Sequence, residues 1–151
     1  MEDNTKPHLE PLLLDLLDRN LQSIWDGDKE SYKATTADDV SFYEWYISPQ
    51  RIDGIDFHLR ELAVHGAVLG GAGRRVEHEI LQPRVQLYGD TAILTYTLLI
   101  RAMDASSVTH ASHNETRVFH NFGDDDIPDW KLVHCHKSPV ATAGSLDVLR
   151  A

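Results

Sequence analysis

An α+β domain, with helices first and an antiparallel sheet afterwards, is the fold class that this chain of 151 residues predicts. Three observations carry it. Apolar residues recur at helical spacing early in the chain, the composition turns to Val, Ile, Thr and aromatic residues from Val76 onward, and turn residues separate the runs of that second half.

Leu13, Leu17, Leu21 and Ile24 mark the first helix, with Leu14 and Trp25 widening the stripe and Asp15, Arg19 and Gln22 facing away. Pro11 suits its first turn and Gly27 its end, and Asp28 can cap a short second helix reaching Lys33. Val40 to Tyr46 reads as one short strand. A third helix fits Asp53 to Val64: Ile55, Leu59, Leu62 and Ala63 share a face, Asp53 can cap it and Gly66 can stop it. GGAGRR is a glycine-rich connector. Four strands follow, over Val76 to Tyr88, Thr91 to Met103, His113 to Phe122 and Trp130 to Val140. Gly89-Asp90 predicts a tight hairpin and GDDDIPD a longer one, while Pro83, which donates no ladder hydrogen bond, requires a bulge or an edge position. Residues 9–141 then form a single domain, with 1–8 and 142–151 as flexible termini.

Composition narrows the function. Fourteen Lys and Arg against 24 Asp and Glu give a net charge of −10, a field that repels nucleic acid and anionic membrane, so neither is expected as a partner. The N-terminal stretch carries acids where a signal peptide needs positive charge, and the longest mostly apolar stretch, Ala92 to Ile100, is too short to span a bilayer. Cys135 is the only cysteine, which rules out an intramolecular disulfide and makes a reducing cytoplasm the simplest compartment. No cofactor is expected. GAVLGGAGRR lacks the Gly-Lys-Ser/Thr of a phosphate loop, and Asp124, Asp125 and Asp126 lack the glycine and closing glutamate of a calcium loop. His134 and His136 share a strand face and with His120 suggest metal ligands, but no carboxylate accompanies them, so structural histidines and no metal are expected.

Several segments together resemble the association (hub) domain of calcium/calmodulin-dependent protein kinase II, within the nuclear-transport-factor-2-like (cystatin-like, SnoaL-like) superfamily. They are the Gly27-Asp28 helix break with Tyr32 after it, DGIDFH at Asp53 to His58, ILQPRVQLYGD at Ile80 to Asp90, ETRVFH at Glu115 to His120, and WKLVHCHKSP at Trp130 to Pro139. No glycine-rich ATP loop, HRD or DFG triplet is present, so the resemblance implies a hub-like protein without a kinase domain. It further implies a cone-shaped fold, three N-terminal helices on a curved, mainly antiparallel sheet with a pocket between the layers, and self-association as a homodimer at least or a ring of dimers.

The same resemblance places Arg101, Arg117 and Lys137 in that pocket, lysine standing at 137 where arginine is usual, and His58 beside them. Strand register offers two alternatives. A hairpin centred near Thr109 sets Arg101 opposite Arg117, and one turning near Asp126-Ile127 sets Arg117 opposite Lys137, three cations abreast. A turn at Asp104 to Ser107 instead separates Arg101 from Arg117 and removes the row. Like charges about 5 Å apart repel by roughly 3 kcal/mol at an effective dielectric near 20, so the row requires an anion, either Glu115 on the same face or a bound small carboxylate or acidic peptide group. The competing expectation is an isomerase, dehydratase or cyclase in which His58 or Glu44 is the general base and a tyrosine, Tyr43 or Tyr46, the hydrogen-bond donor. Three cations would hold an anion as tightly in the ground state as in the transition state, which favours binding over catalysis.

Overall fold

The computed structural model describes residues 8–69 and 75–140. The leucine stripe forms helix α1 (Leu9–Asp26), which buries Leu13, Leu16, Leu17, Asn20 and Leu21. Gly27 ends it in the left-handed conformation (φ 65°), where its N–H returns to the last carbonyls and a side chain would be strained. Asp28 caps helix α2 (Lys29–Ala34), its carboxylate accepting from the Ser31 N–H at 3.2 Å.

The next segment departs from expectation. Strand β1 (Thr36–Glu44) is followed by a second strand, β2 (Ser48–Asp53), and the two form an antiparallel hairpin in which Ser41 faces Asp53. Ser48, Pro49, Gln50 and Arg51 carry no apolar alternation because β2 is an outer strand, so the sequence pattern conceals it. Asp53 therefore ends a strand, its carboxylate holding Arg51, and caps no helix. Helix α3 (Asp56–Leu69) starts three residues later than expected and continues through Gly66. Gly54 (φ 86°) makes the turn between them, donating its N–H to the Val40 carbonyl at 2.7 Å.

Strands β3 (Arg75–Tyr88), β4 (Thr91–Met103), β5 (Val108–Asn121) and β6 (Trp130–Pro139) complete a six-stranded sheet of order β2-β1-β6-β5-β4-β3. All neighbours are antiparallel except β1 and β6, which run parallel. Pro83 has both features its chemistry requires: β3 is the edge strand, and the register shifts between Leu81 and Arg84 with Gln82 at φ 50°. The connector before Arg75 and the terminal residues 1–7 and 141–151, where flexible segments were expected, lie outside the described residues.

The core fills the space between α1 and the inner face of the curved sheet. Leu13, Leu17, Leu21, Val40, Phe42, Leu94, Leu98, Phe119 and Leu132 are all 2% exposed or less. On β4 the even residues Ala92 to Leu98 point inward, and on β5 the odd residues His113 to Asn121 do. That mismatch of parity follows from the hairpin register. The β4–β5 turn occupies Asp104 to Ser107, where the Asp104 carboxylate accepts from the Ser106 and Ser107 N–H groups at 2.8 Å each. Arg101 therefore faces His110, and Arg117 faces Leu94. The hairpin centred near Thr109 does not form, and the loop-like stretch SSVTHASHN is mostly strand.

Candidate functional site

Arg117 projects from β5 into the core, 1% exposed, and its guanidinium must find partners there. Its Nε donates to Glu115 Oε1 at 3.1 Å and a terminal nitrogen donates to Asn20 Oδ1 from α1. Asn20 in turn donates to Thr35 Oγ1 (2.8 Å) and Thr36 Oγ1 (3.0 Å). Glu115 also receives His113 Nε2 at 3.1 Å and the Cys135 thiol at 3.5 Å. Burial would push the Glu115 carboxyl up, but Arg117, His113 and Lys137 outweigh it and hold the group well below the usual carboxylate range. Cys135 has no exposed surface, and burial pushes its thiol up to about 12, that of an inert core cysteine.

A second cluster lies alongside. Glu44, at the inward end of β1, accepts from Lys137 Nζ at 2.8 Å, from the Tyr46 hydroxyl at 2.8 Å and from His58 Nε2. Lys137 also donates to the Tyr46 oxygen at 3.1 Å. Burial of Glu44 is overcome by His58 and Lys137, which bring its pKa to about 2. Because that carboxylate only accepts, the His58 proton sits on Nε2, where the ring stacks 3.9 Å from Phe42. His58 Nδ1 is buried and without a partner.

These groups close one end of a cavity of about 470 Å³ between helices and sheet. Leu62, Leu98, Ile100, Trp25, Trp45 and Ile47 give it apolar walls, and Glu44, His58, His113 and Lys137 its polar end.

Of the residues expected at the site, Glu44, His58 and Lys137 form one cluster and Glu115 and Arg117 an adjacent one, Glu115 facing Lys137 in the β5–β6 register. Glu115 and Arg117 stand behind the cavity lining rather than in it. Arg101 does not belong. It lies on the sheet face opposite Arg117, one-third exposed, and binds Glu79 at 3.0 Å and Glu77 at 3.7 Å. The cause is the odd-parity register, since an odd slip in pairing turns a side chain to the other face. Nor is there a row of unmatched cations. Arg117 and Lys137 are neutralised by Glu115 and Glu44, so no bound anion is required. Tyr43 also points away, its ring packing near His134 and His136 on the outer face, whereas Tyr46 reaches the cluster. His134 meets Ser41 and His120 meets Thr91, separate contacts that assemble no common ligand set. Sequence reasoning missed Asn20, His113, Trp45 and Ile47. Asn20 had a visible signal, being a polar residue on the leucine face of the first helix; the other three had none.

Comparison with known proteins agrees with this architecture. The model of the calcium/calmodulin dependent protein kinase II association domain matches residues 11–141. The alpha chain of calcium/calmodulin-dependent protein kinase type II from Drosophila melanogaster is 27% identical over 131 residues, 85% of this chain but 23% of that protein's length. Among solved structures, the kinase II hub homology domain of Chlamydomonas reinhardtii superposes with a TM-score of 0.76 at 24% identity, covering 88% of this chain and 99% of that one. A candidate dehydratase of the nuclear-transport-factor-2-like family from Streptomyces avermitilis gives a TM-score of 0.70 at 20% identity, covering 91% and 100%. The family model spans most of the chain and the fold superposes on that of solved hub domains: the chain belongs to the calcium/calmodulin-dependent protein kinase II association domain family.

Proposed function

We propose that this chain is a homo-oligomerising association module whose protomer also carries a binding cavity for a small carboxylate or an acidic peptide group. Family membership supports the self-association, as a homodimer at least. The ligand reading rests on one observation, the position of Lys137 in the cavity wall. An ammonium has three protons; Glu44 and Tyr46 take two, and the third is left for an incoming acceptor while the apolar walls hold the rest of the ligand. A reducing cytoplasm suits the unpaired, buried thiol of Cys135.

Light scattering and a thermal-shift screen test both halves. The expected results are a mass of two chains or more, and a melting temperature raised by small carboxylates, not by the matched amides, in wild type but not in Lys137→Met. A monomer at all concentrations overturns the first half; equal response to carboxylate and amide overturns the second.

One observation favours the alternative, an isomerase, dehydratase or cyclase. His58 is oriented by Glu44 through Nε2 and keeps a buried, unshared Nδ1, the arrangement of a general base. Glu44, ionised down to about pH 2, is too weak a base and acts there only to position His58. Turnover of phenolic or ketosteroid-like compounds that vanishes in His58→Ala identifies this reading.

A further inference from the structure

We propose that His78 is a proton-operated latch on the wall of this cavity: adding a proton to its imidazole releases Trp25 and opens the partition between the cavity and the groove behind it. The consequence for ligand rests on the binding reading above; the latch itself does not.

Asp18 and Trp25 are seven residues apart on α1, two turns, and so share a side of the helix. Both reach His78 on the edge strand β3. The Trp25 indole donates from Nε1 to His78 Nδ1 at 2.8 Å, and His78 Nε2 lies 2.6 Å from Asp18 Oδ1. An indole N–H can only donate, so Nδ1 must present its lone pair and the single ring proton must sit on Nε2, directed at Asp18. The imidazole side chain is 5% exposed, which leaves little room for it to turn toward water. A second proton would place an N–H on Nδ1 against the indole N–H, converting the hydrogen bond into a contact between two donors.

Trp25 is the element that has to yield, and it lines two spaces at once. On one side is the 470 Å³ cavity. On the other is a groove of about 640 Å³ along α1 and β3. Asp18 is the charged group in contact with His78, and the others lining that groove are Asp26 from α1, Arg75, Glu77 and Glu79 from β3, and Arg101 from β4. Arg101 is engaged by both β3 glutamates and Arg75 by Glu77. With Glu77 and Glu79 taken by the arginines, Asp18 provides the countercharge that an imidazolium needs there. This also gives Arg101 a place in the molecule: it offsets part of the acidity of the groove.

The test is the Trp25 indole N–H resonance followed by NMR from pH 8 to 5 at fixed ionic strength, assigned with Trp25→Phe. In wild type the resonance is expected to move through a single transition; in His78→Gln, which keeps a polar side chain but no titrating ring, it is expected to stay flat. Asp18→Asn, a change at an exposed partner, removes the carboxylate that meets His78 Nε2 and is expected to alter the transition. Anilinonaphthalene sulfonate, an apolar body with one anionic group, probes the cavity at both ends of the range. Its affinity should fall several-fold more on acidification in wild type than in His78→Gln, with unchanged far-ultraviolet circular dichroism. An indole resonance that does not move, that moves equally in His78→Gln, or whose transition is unaltered in Asp18→Asn overturns the latch. An equal loss of probe affinity in wild type and His78→Gln overturns its coupling to the cavity. A normal indole transition with no probe binding at any pH upholds the latch and discards the ligand-binding reading instead.

Discussion

Asn20 sits among the leucines of α1 with no exposed surface, and it is the hinge between two otherwise separate sets of polar groups. Its amide takes the Arg117 proton on one side and gives protons to Thr35 and Thr36 on the other, joining helix, sheet and the start of β1. The Arg117 and Glu115 charges are tolerable in the core because they pair with each other and hydrogen-bond to Asn20, His113 and Cys135. Removing one partner leaves the other as an uncompensated buried ion, which costs about 3–5 kcal/mol, whereas replacing both with apolar groups of similar volume is often neutral. Glu115→Ala is therefore expected to lower the unfolding free energy in urea by about that amount. A Glu115→Leu/Arg117→Met double variant is expected to lose clearly less than the sum of its single changes. Additive losses would show that the two residues stabilise the fold independently.

At the scale of the element, the β5–β6 connection shows how a run of acids forms a turn. The Asp124 carboxylate accepts from the N–H groups of Asp126 and Ile127, and Asn121 Oδ1 accepts from those of Gly123 and Asp129. The loop folds so tightly that a Cβ on Gly123 would lie 2.1 Å from the Ile127 carbonyl oxygen. Gly123→Ala is expected to destabilise the protein by about 1–3 kcal/mol, an overpacking effect, because the obstacle is backbone and cannot swing aside. At Gly89 a Cβ meets nothing within 4 Å, so Gly89→Ala carries only the cost of its φ of 60°. Urea midpoints of the two variants check the order. Elements were legible wherever local chemistry sets them: α1 from its stripe, α2 from Asp28, the β3–β4 hairpin from Gly89-Asp90, the β3 bulge from Pro83. Strand β2 was not, because an outer strand has no apolar face to announce it.

Across the whole molecule, the buried carboxylates govern the response to acid. Glu44, with its pKa near 2 against 4.5 ordinarily, and Glu115, also lowered, are more acidic folded than unfolded. The unfolded chain therefore binds more protons as pH falls, so their stabilisation is complete above about pH 5 and disappears between there and about pH 2. Glu44 alone accounts for roughly 3 kcal/mol at most, from its shift at 1.36 kcal/mol per unit. Chemical denaturation at a series of pH values is expected to show falling stability over that window, with a shallower slope in Glu44→Gln. An unchanged slope would mean that Glu44 is not ionised in the fold. The same network ties α1, β1, β5 and β6 together, so acid should loosen the cavity and the core in one transition.

By itself the sequence determined the α+β class, the order of helices before sheet, most strand positions, the hub-like resemblance and three of the residues at the polar end of the cavity, Glu44, His58 and Lys137. These are consequences of periodicity, capping and turn chemistry, which act over a few residues and can be read in order. Tertiary structure alone decided which faces met. The turn at Asp104 to Ser107 set the β4–β5 register at odd parity, and that sent Arg101 to the outside while Arg117 stayed in the core. A side chain's face depends on the parity of a pairing between strands, and pairing is chosen by the packing of the sheet on α1, a distance in sequence over which local pattern carries no information.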